Sequence, residues 1–138
     1  MIAYLDSSTV LRIVFRQPNA LASWGDWDWA LTSELTRIEG LRSIDRLRIA
    51  QRLTDEQLAD HVEDLETILG HFNEIELERQ IFQRASQPFA TAIGTLDAIH
   101  VASALIWRDQ SGKELTFLTH DSQQGVAARA IGLKTGGF

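Results

Sequence analysis

Short apolar runs alternate with longer amphipathic stretches along this chain, and that alternation limits its fold more than any other feature. Ile2 to Leu5 is an apolar run of buried-strand type, and Trp29-Ala30-Leu31-Thr32 is a second candidate strand. Phe72 to Leu77 alternates in polarity like a short strand. Leu115 to Thr119 is another buried run, and Leu133-Lys134-Thr135 suits a final edge strand. Helix patterns fill the intervals. Ser7 or Ser8 caps a helix to about Arg16, interrupted by Gln17-Pro18-Asn19. Thr32 or Ser33 opens a long helix with Leu35, Ile38, Leu41, Ile44 and Leu47 at helical spacing. Thr54-Asp55-Glu56-Gln57 has the capping-box pattern before Leu58, Val62, Leu65, Ile68 and Leu69. A short helix precedes Ser86 and Pro88, Thr95 caps a largely buried helix to about Arg108, and a last helix spans Ser122 to Ala130. Strands alternating with helices predict a parallel sheet covered on both faces, built as one domain over residues 1–138.

Such sheets bind ligands beyond the carboxyl ends of their strands. Asp6 and Asp121 fall there, directly after apolar runs. Glu39 and Asp97 lie near the starts of helices, again beside apolar residues. A carboxylate in apolar surroundings is costly without a partner. Each has an ordinary explanation: Asp6 and Asp121 as helix caps, Asp97 near a helix N-terminus, Glu39 as a helix partner of Arg42. Four converging would form a strongly negative site whose oxygen ligands suit Mg²⁺ or Mn²⁺.

The formal charge of −6 speaks against a polyanionic partner until its distribution is considered. Residues 55–78 hold nine acids and no Lys or Arg, so the rest of the chain carries 13 bases against 10 acids, a balance of +3. Arg37, Arg42, Arg46, Arg48 and Arg52 lie close together in that remainder. Bases around an acidic pocket suit an enzyme acting on phosphodiesters. The absence of cysteine removes disulfides, thiolate metal sites and cysteine nucleophiles, and is compatible with a cytoplasmic location. A strand beginning at Ile2 leaves no room for a signal peptide, and no apolar run approaches the roughly 20 residues of a membrane span.

Four motifs in order carry a resemblance. Tyr4-Leu5-Asp6-Ser7-Ser8 is followed by Ser33-x-Leu35-x-x-x-Glu39, then Leu96-Asp97-Ala98-Ile99-His100-Val101-Ala102, then Leu118-Thr119-x-Asp121 with a later Ala-rich helix and Gly132-Leu133. Together they resemble the PIN-domain ribonucleases, in particular the VapC-type toxins of bacterial and archaeal toxin–antitoxin pairs. The resemblance implies a three-layer α/β/α sandwich with a central parallel sheet. It implies that Asp6, Glu39, Asp97 and Asp121 bind one or two Mg²⁺ or Mn²⁺ ions, whose bound water attacks an RNA phosphodiester. Ser7 and Thr119 match family positions where a hydroxyl orients a carboxylate or a water. A homodimer is implied, as is a VapB-type antitoxin that inserts a basic side chain among the acids. Ser122-Gln123-Gln124 departs from the family, which often has basic residues after the fourth acid.

The alternative is a PIN-like domain that binds RNA or protein without cutting. A scaffold, however, has no need to keep four repelling charges together. An aspartyl-phosphate phosphatase would need an acid where Ser8 stands, and a dinucleotide-binding module would need a glycine-rich turn that is missing. His100 shares a helix face with Asp97 and is a core histidine, a group supporting the site or a metal ligand. His120 is expected to point away from the site. Trp24, Trp27 and Trp29 suit a core edge, an interface or base stacking. Arg12 and Arg16 are expected to be solvated.

Overall fold

A computed structural model describes residues 1–138. It contains a five-stranded sheet: β1 (Ile2–Leu5), β2 (Trp29–Ser33), β3 (Asn73–Ile75), β4 (Thr116–Leu118) and β5 (Lys134–Gly136), in spatial order β3-β2-β1-β4-β5. Every pairing is parallel. Six helices connect the strands: α1 (Ser7–Val14), α2 (Leu35–Ile49), α3 (Asp55–Gly70), α4 (Arg79–Ala85), α5 (Thr95–Ser111) and α6 (Ser122–Ala130). The chain winds from β1 outward to β3, then crosses to β4 on the other side of β1. The strand order therefore reverses between β1 and β4, where the backbone N–H of Asp6 reaches the Leu118 carbonyl at 3.2 Å.

The two-residue period of each strand makes this a three-layer α/β/α sandwich. Ala3, Leu5, Ala30 and Leu118 face one side and pack with Val10 and Val14 of α1, Ile44 of α2, and Leu65 and Leu69 of α3. Their neighbours Tyr4, Leu31 and Phe117 face the other side and meet Val101 and Ala104 of α5 and Ala128 of α6. A smaller cluster of Leu35, Ile81, Ile99 and Ala102 joins α4 to α5. No helix is long and apolar enough to cross a membrane.

Most elements lie where the pattern predicts, with local differences. The helix α1 stops at Val14 rather than Arg16, because Arg16 turns left-handed (φ 52°) and the Gln17 N–H bonds back to the Arg12 carbonyl. Gly94, not Thr95, is the N-cap of α5. The Thr54–Gln57 capping box forms as expected. The largest difference is the buried face of α2. Leu35 and Ile44 are buried, but Ile38 is 55% and Leu41 39% exposed. A strict three-residue spacing precesses by about 60° per step on a helix with 3.6 residues per turn, so those five residues cannot share one face. The buried stripe is Thr36, Gly40 and Ile44 at four-residue spacing. Thr36 bonds Thr32 through paired hydroxyls at 2.7 Å, and Gly40 lets α3 approach so closely that an added Cβ would sit 2.7 Å from Leu65 Cδ2.

Candidate active site

Asp6 follows β1 and is 2% exposed. It caps α1: its Oδ1 accepts from the Thr9 N–H at 3.3 Å and from Ser8 Oγ at 2.6 Å. The capping role expected of Asp6 is thus formed. Burial raises its carboxyl from 3.8 to about 6, against the opposing pull of nearby His100 and the hydrogen bonds from Ser8 and Thr9, with Glu39 adding to the rise. Asp121 likewise caps α6, accepting from the Gln124 N–H at 2.9 Å, but it is exposed. Asp97 sits in the first turn of α5 and is partly buried. Its carboxyl is raised first by burial, then by the charge of Asp121, with a smaller contribution from Glu39. Three helix N-termini thus carry acids, and their dipoles reduce the cost of holding negative charge; the charge of Asp121 acts on Asp97, and that of Glu39 on both Asp6 and Asp97.

Glu39 comes from the second turn of α2, across the sheet's carboxyl edge. Its Oε1 meets His100 Nε2 at 2.6 Å, and its Oε2 accepts from Ser7 Oγ at 3.0 Å. Ser7 therefore orients Glu39 rather than its chain neighbour Asp6, and Ser8 takes the position beside Asp6. Thr119 is fully buried. It accepts from the Asp121 N–H at 3.0 Å and donates to Gln124 Oε1 at 2.7 Å. The Gln124 amide continues to the Asp97 carbonyl at 3.4 Å, so one buried glutamine ties together the segments bearing Asp97 and Asp121.

Ser8, Gln124 and the full role of His100 were not legible at first sight. Gln124 belonged to the stretch that departs from the family by lacking bases. Its place at the third residue of a helix capped by Asp121 was the available signal, because a side chain there turns back toward the capping loop. Replacing Gln124 with alanine strands the buried Thr119 hydroxyl and should cost about 1–3 kcal/mol of stability. Urea unfolding of the variant against wild type measures this; an unchanged midpoint would show that the bridge carries no weight.

Other candidates fall outside the cluster. The ring of His120 lies against Arg12, and burial followed by that charge lowers its pKa. Trp24 and Trp27 pack edge to face, 5.2 Å apart, and both contact Phe72 at the border of the core. Of the α2 arginines, Arg37 pairs with Glu66 and Glu74, while Arg42 and Arg48 pair with Asp45. Arg16 pairs with Asp64. The acidic 55–78 segment is therefore partly neutralised by the arginines that the charge count left in surplus. Arg46 and Arg52 have no carboxylate partner.

Nowhere do three or more His, Asp or Glu side chains gather tightly enough to cage a metal ion. The donor chemistry still fits a hard cation. Asp6, Glu39, Asp97 and Asp121 offer carboxylate oxygens, two of them have raised carboxyl pKa values, and Mg²⁺ keeps several waters while using only one or two protein carboxylates.

A parallel sheet with Asp6 at its switch point defines an α/β domain with acids at the carboxyl end of its strands. The chain matches the PIN domain family over residues 3–129, nearly its whole length, and belongs to that family. PIN domains are generally nucleases. The fold is similar to the crystal structure of FitAcB from Neisseria gonorrhoeae, with a TM-score of 0.68 and 22% sequence identity over 98% of this chain and 96% of that one. No curated protein matches the chain.

Proposed function

We propose that the protein is a metal-dependent endoribonuclease acting as the toxin of a toxin–antitoxin pair, with Asp6, Glu39, Asp97 and Asp121 as its site acids and Mg²⁺ or Mn²⁺ as cofactor. The observation that carries this reading is the energetic conflict at Asp6. Asp6 is a buried carboxylate with no Lys or Arg partner, raised to about 6 despite its hydrogen bonds, and a bound cation would offset the stability this costs. A domain that merely bound RNA or protein would gain nothing from that conflict.

When bound, a divalent ion supplies countercharge to the developing phosphorane and lowers the pKa of the attacking water. The chain's own residues set the frame. Asp6 and Asp97 would hold the ion from β1 and α5, with Glu39 and Asp121 beside them. Ser7 fixes Glu39, Ser8 fixes Asp6, and Thr119 with Gln124 fixes the Asp121 turn. Asp121 is exposed, which would leave the site accessible to a polymer. The proposal includes a homodimer and a cognate VapB-type antitoxin, supported by the four ordered motifs. A guanidinium from such a partner would neutralise the cleft in place of metal.

The test is incubation of purified protein with single-stranded RNA in Mg²⁺, Mn²⁺ or EDTA. Cleavage in either metal, lost in EDTA, is expected. Cleavage that persists in EDTA, or intact RNA under all three conditions, would overturn the reading.

A further inference from the structure

We infer that His100, held by Tyr4, is a positioning residue that sets the cation affinity of the site by fixing Glu39 in one orientation. The inference rests on the proposed metal site. Glu39 is the outlying acid: Asp6, Asp97 and Asp121 sit at or beside helix starts, whereas Glu39 stands inside α2, a turn beyond its first residue. A glutamate there has three rotatable bonds, and its side chain is 18% exposed, so packing alone does not hold it.

Hydrogen bonds hold it instead. His100 is completely buried on α5 and places Nε2 2.6 Å from Glu39 Oε1. A carboxylate only accepts, so Nε2 carries the hydrogen. The other ring nitrogen, Nδ1, lies 2.9 Å from the hydroxyl of Tyr4, which is also completely buried. In the Nε2–H tautomer, Nδ1 accepts from that hydroxyl. The Tyr4 hydroxyl thereby holds the ring with Nε2 turned toward Glu39. Tyr4 is itself fixed, its ring stacked on Phe117 at 5.2 Å.

Ser7 completes the arrangement by donating to Oε2 at 3.0 Å. Each carboxylate oxygen of Glu39 then has one donor from the protein, and its remaining lone pairs are free for the cation or its waters. The chain Tyr4–His100–Glu39–Ser7 joins β1, α5, α2 and α1. Two of these elements, β1 and α5, lead directly into or carry Asp6 and Asp97. Outer partners of this kind typically change metal affinity by about 10–100-fold when replaced.

The test uses Mn²⁺ titration of the RNA-free protein by calorimetry, on wild type, His100→Asn, His100→Gln and Tyr4→Phe. His100→Asn should bind Mn²⁺ about 10–100-fold more weakly. His100→Gln, whose amide still donates, should recover part of that loss, and Tyr4→Phe should lose a smaller part. Nitrogen-15 spectra of the wild-type imidazole should show hydrogen on Nε2 and a bare Nδ1. Circular dichroism identifies any variant that fails to fold; the Tyr4→Phe affinity and the wild-type spectrum then decide. Wild-type affinity in folded His100→Asn or Tyr4→Phe, or a hydrogen on Nδ1 alone, would overturn the inference while leaving the nuclease reading intact. No Mn²⁺ binding by wild type would overturn both.

Discussion

Asp6→Asn should make the metal-free protein more stable while abolishing RNA cleavage. The two effects have one cause. The Asp6 carboxyl is raised to about 6 from an ordinary 3.8, with burial the first cause. At neutral pH the folded protein must hold it ionised, which corresponds to about 3 kcal/mol of lost stability. The sign follows from the direction of the shift. A raised carboxyl favours folding while protonated, so its contribution is fully present below pH about 4 and is lost as pH rises through about 6. Asparagine caps helices as well as aspartate does and keeps an oxygen for the Thr9 N–H and the Ser8 hydroxyl. Its amide hydrogens need partners of their own, so the net gain at pH 7.5 is about 1–3 kcal/mol. Thermal unfolding in EDTA from pH 4 to 8 checks this. Wild type should lose stability across that range relative to the variant. Added Mn²⁺ should stabilise wild type and leave Asp6→Asn unmoved. Loss of the cation's countercharge should lower cleavage by at least about 10²-fold. Wild-type cleavage by the variant, or parallel stability curves, would sink the assignment of Asp6.

How far the sequence discloses this site depends on which interactions are local. The caps at Asp6 and Asp121 were legible because strand ends and helix caps are written in consecutive residues, and α6 begins and ends where its pattern predicts. The central strands were legible because both faces of the sheet are covered, so Tyr4-Leu5 and Phe117-Leu118 are apolar at every position and read as buried runs. The α2 face was misread because a run of large apolar residues at intervals of three looks helical without sharing a side, while the true contact is made by Thr36 and Gly40. The charge surplus was misread for a similar reason. Counting along the chain separates Arg37 from Glu66 and Glu74, but α2 packs on α3 and brings them together. His100 was open between a core histidine, a supporting group and a metal ligand, and the structure shows it fully buried with hydrogen bonds to Tyr4 and Glu39. No local pattern announces a bond between residues 61 positions apart.

Phe117→Ala should be the most damaging single substitution in the core, costing about 3–5 kcal/mol. Phe117 is fully buried at the middle of β4, in register with Tyr4, and its ring lies nearly parallel to the Tyr4 ring at 10°. Domains of this size have about 5–15 kcal/mol in total, so the alanine variant would lose a large part of its stability. The damage should extend beyond packing. Tyr4 presents its hydroxyl to His100 from the same buried face, and removing the neighbouring ring frees the tyrosine to shift away from Nδ1. Phe117→Leu separates the two effects. It restores most of the lost volume, should cost only about 1–2 kcal/mol, and still removes the stacking surface. Its midpoint in urea should lie near wild type, while its Mn²⁺ affinity should fall in the same direction as that of Tyr4→Phe. A Phe117→Ala variant within 1 kcal/mol of wild type, against the about 3 kcal/mol minimum expected for such a truncation, would mean that the sheet core is not packed as described. Wild-type Mn²⁺ affinity in Phe117→Leu would instead show that Tyr4 keeps its place without the stacked ring. The proposed site acids would then draw their rigidity from the helix caps of α1 and α6 rather than from the core beneath them.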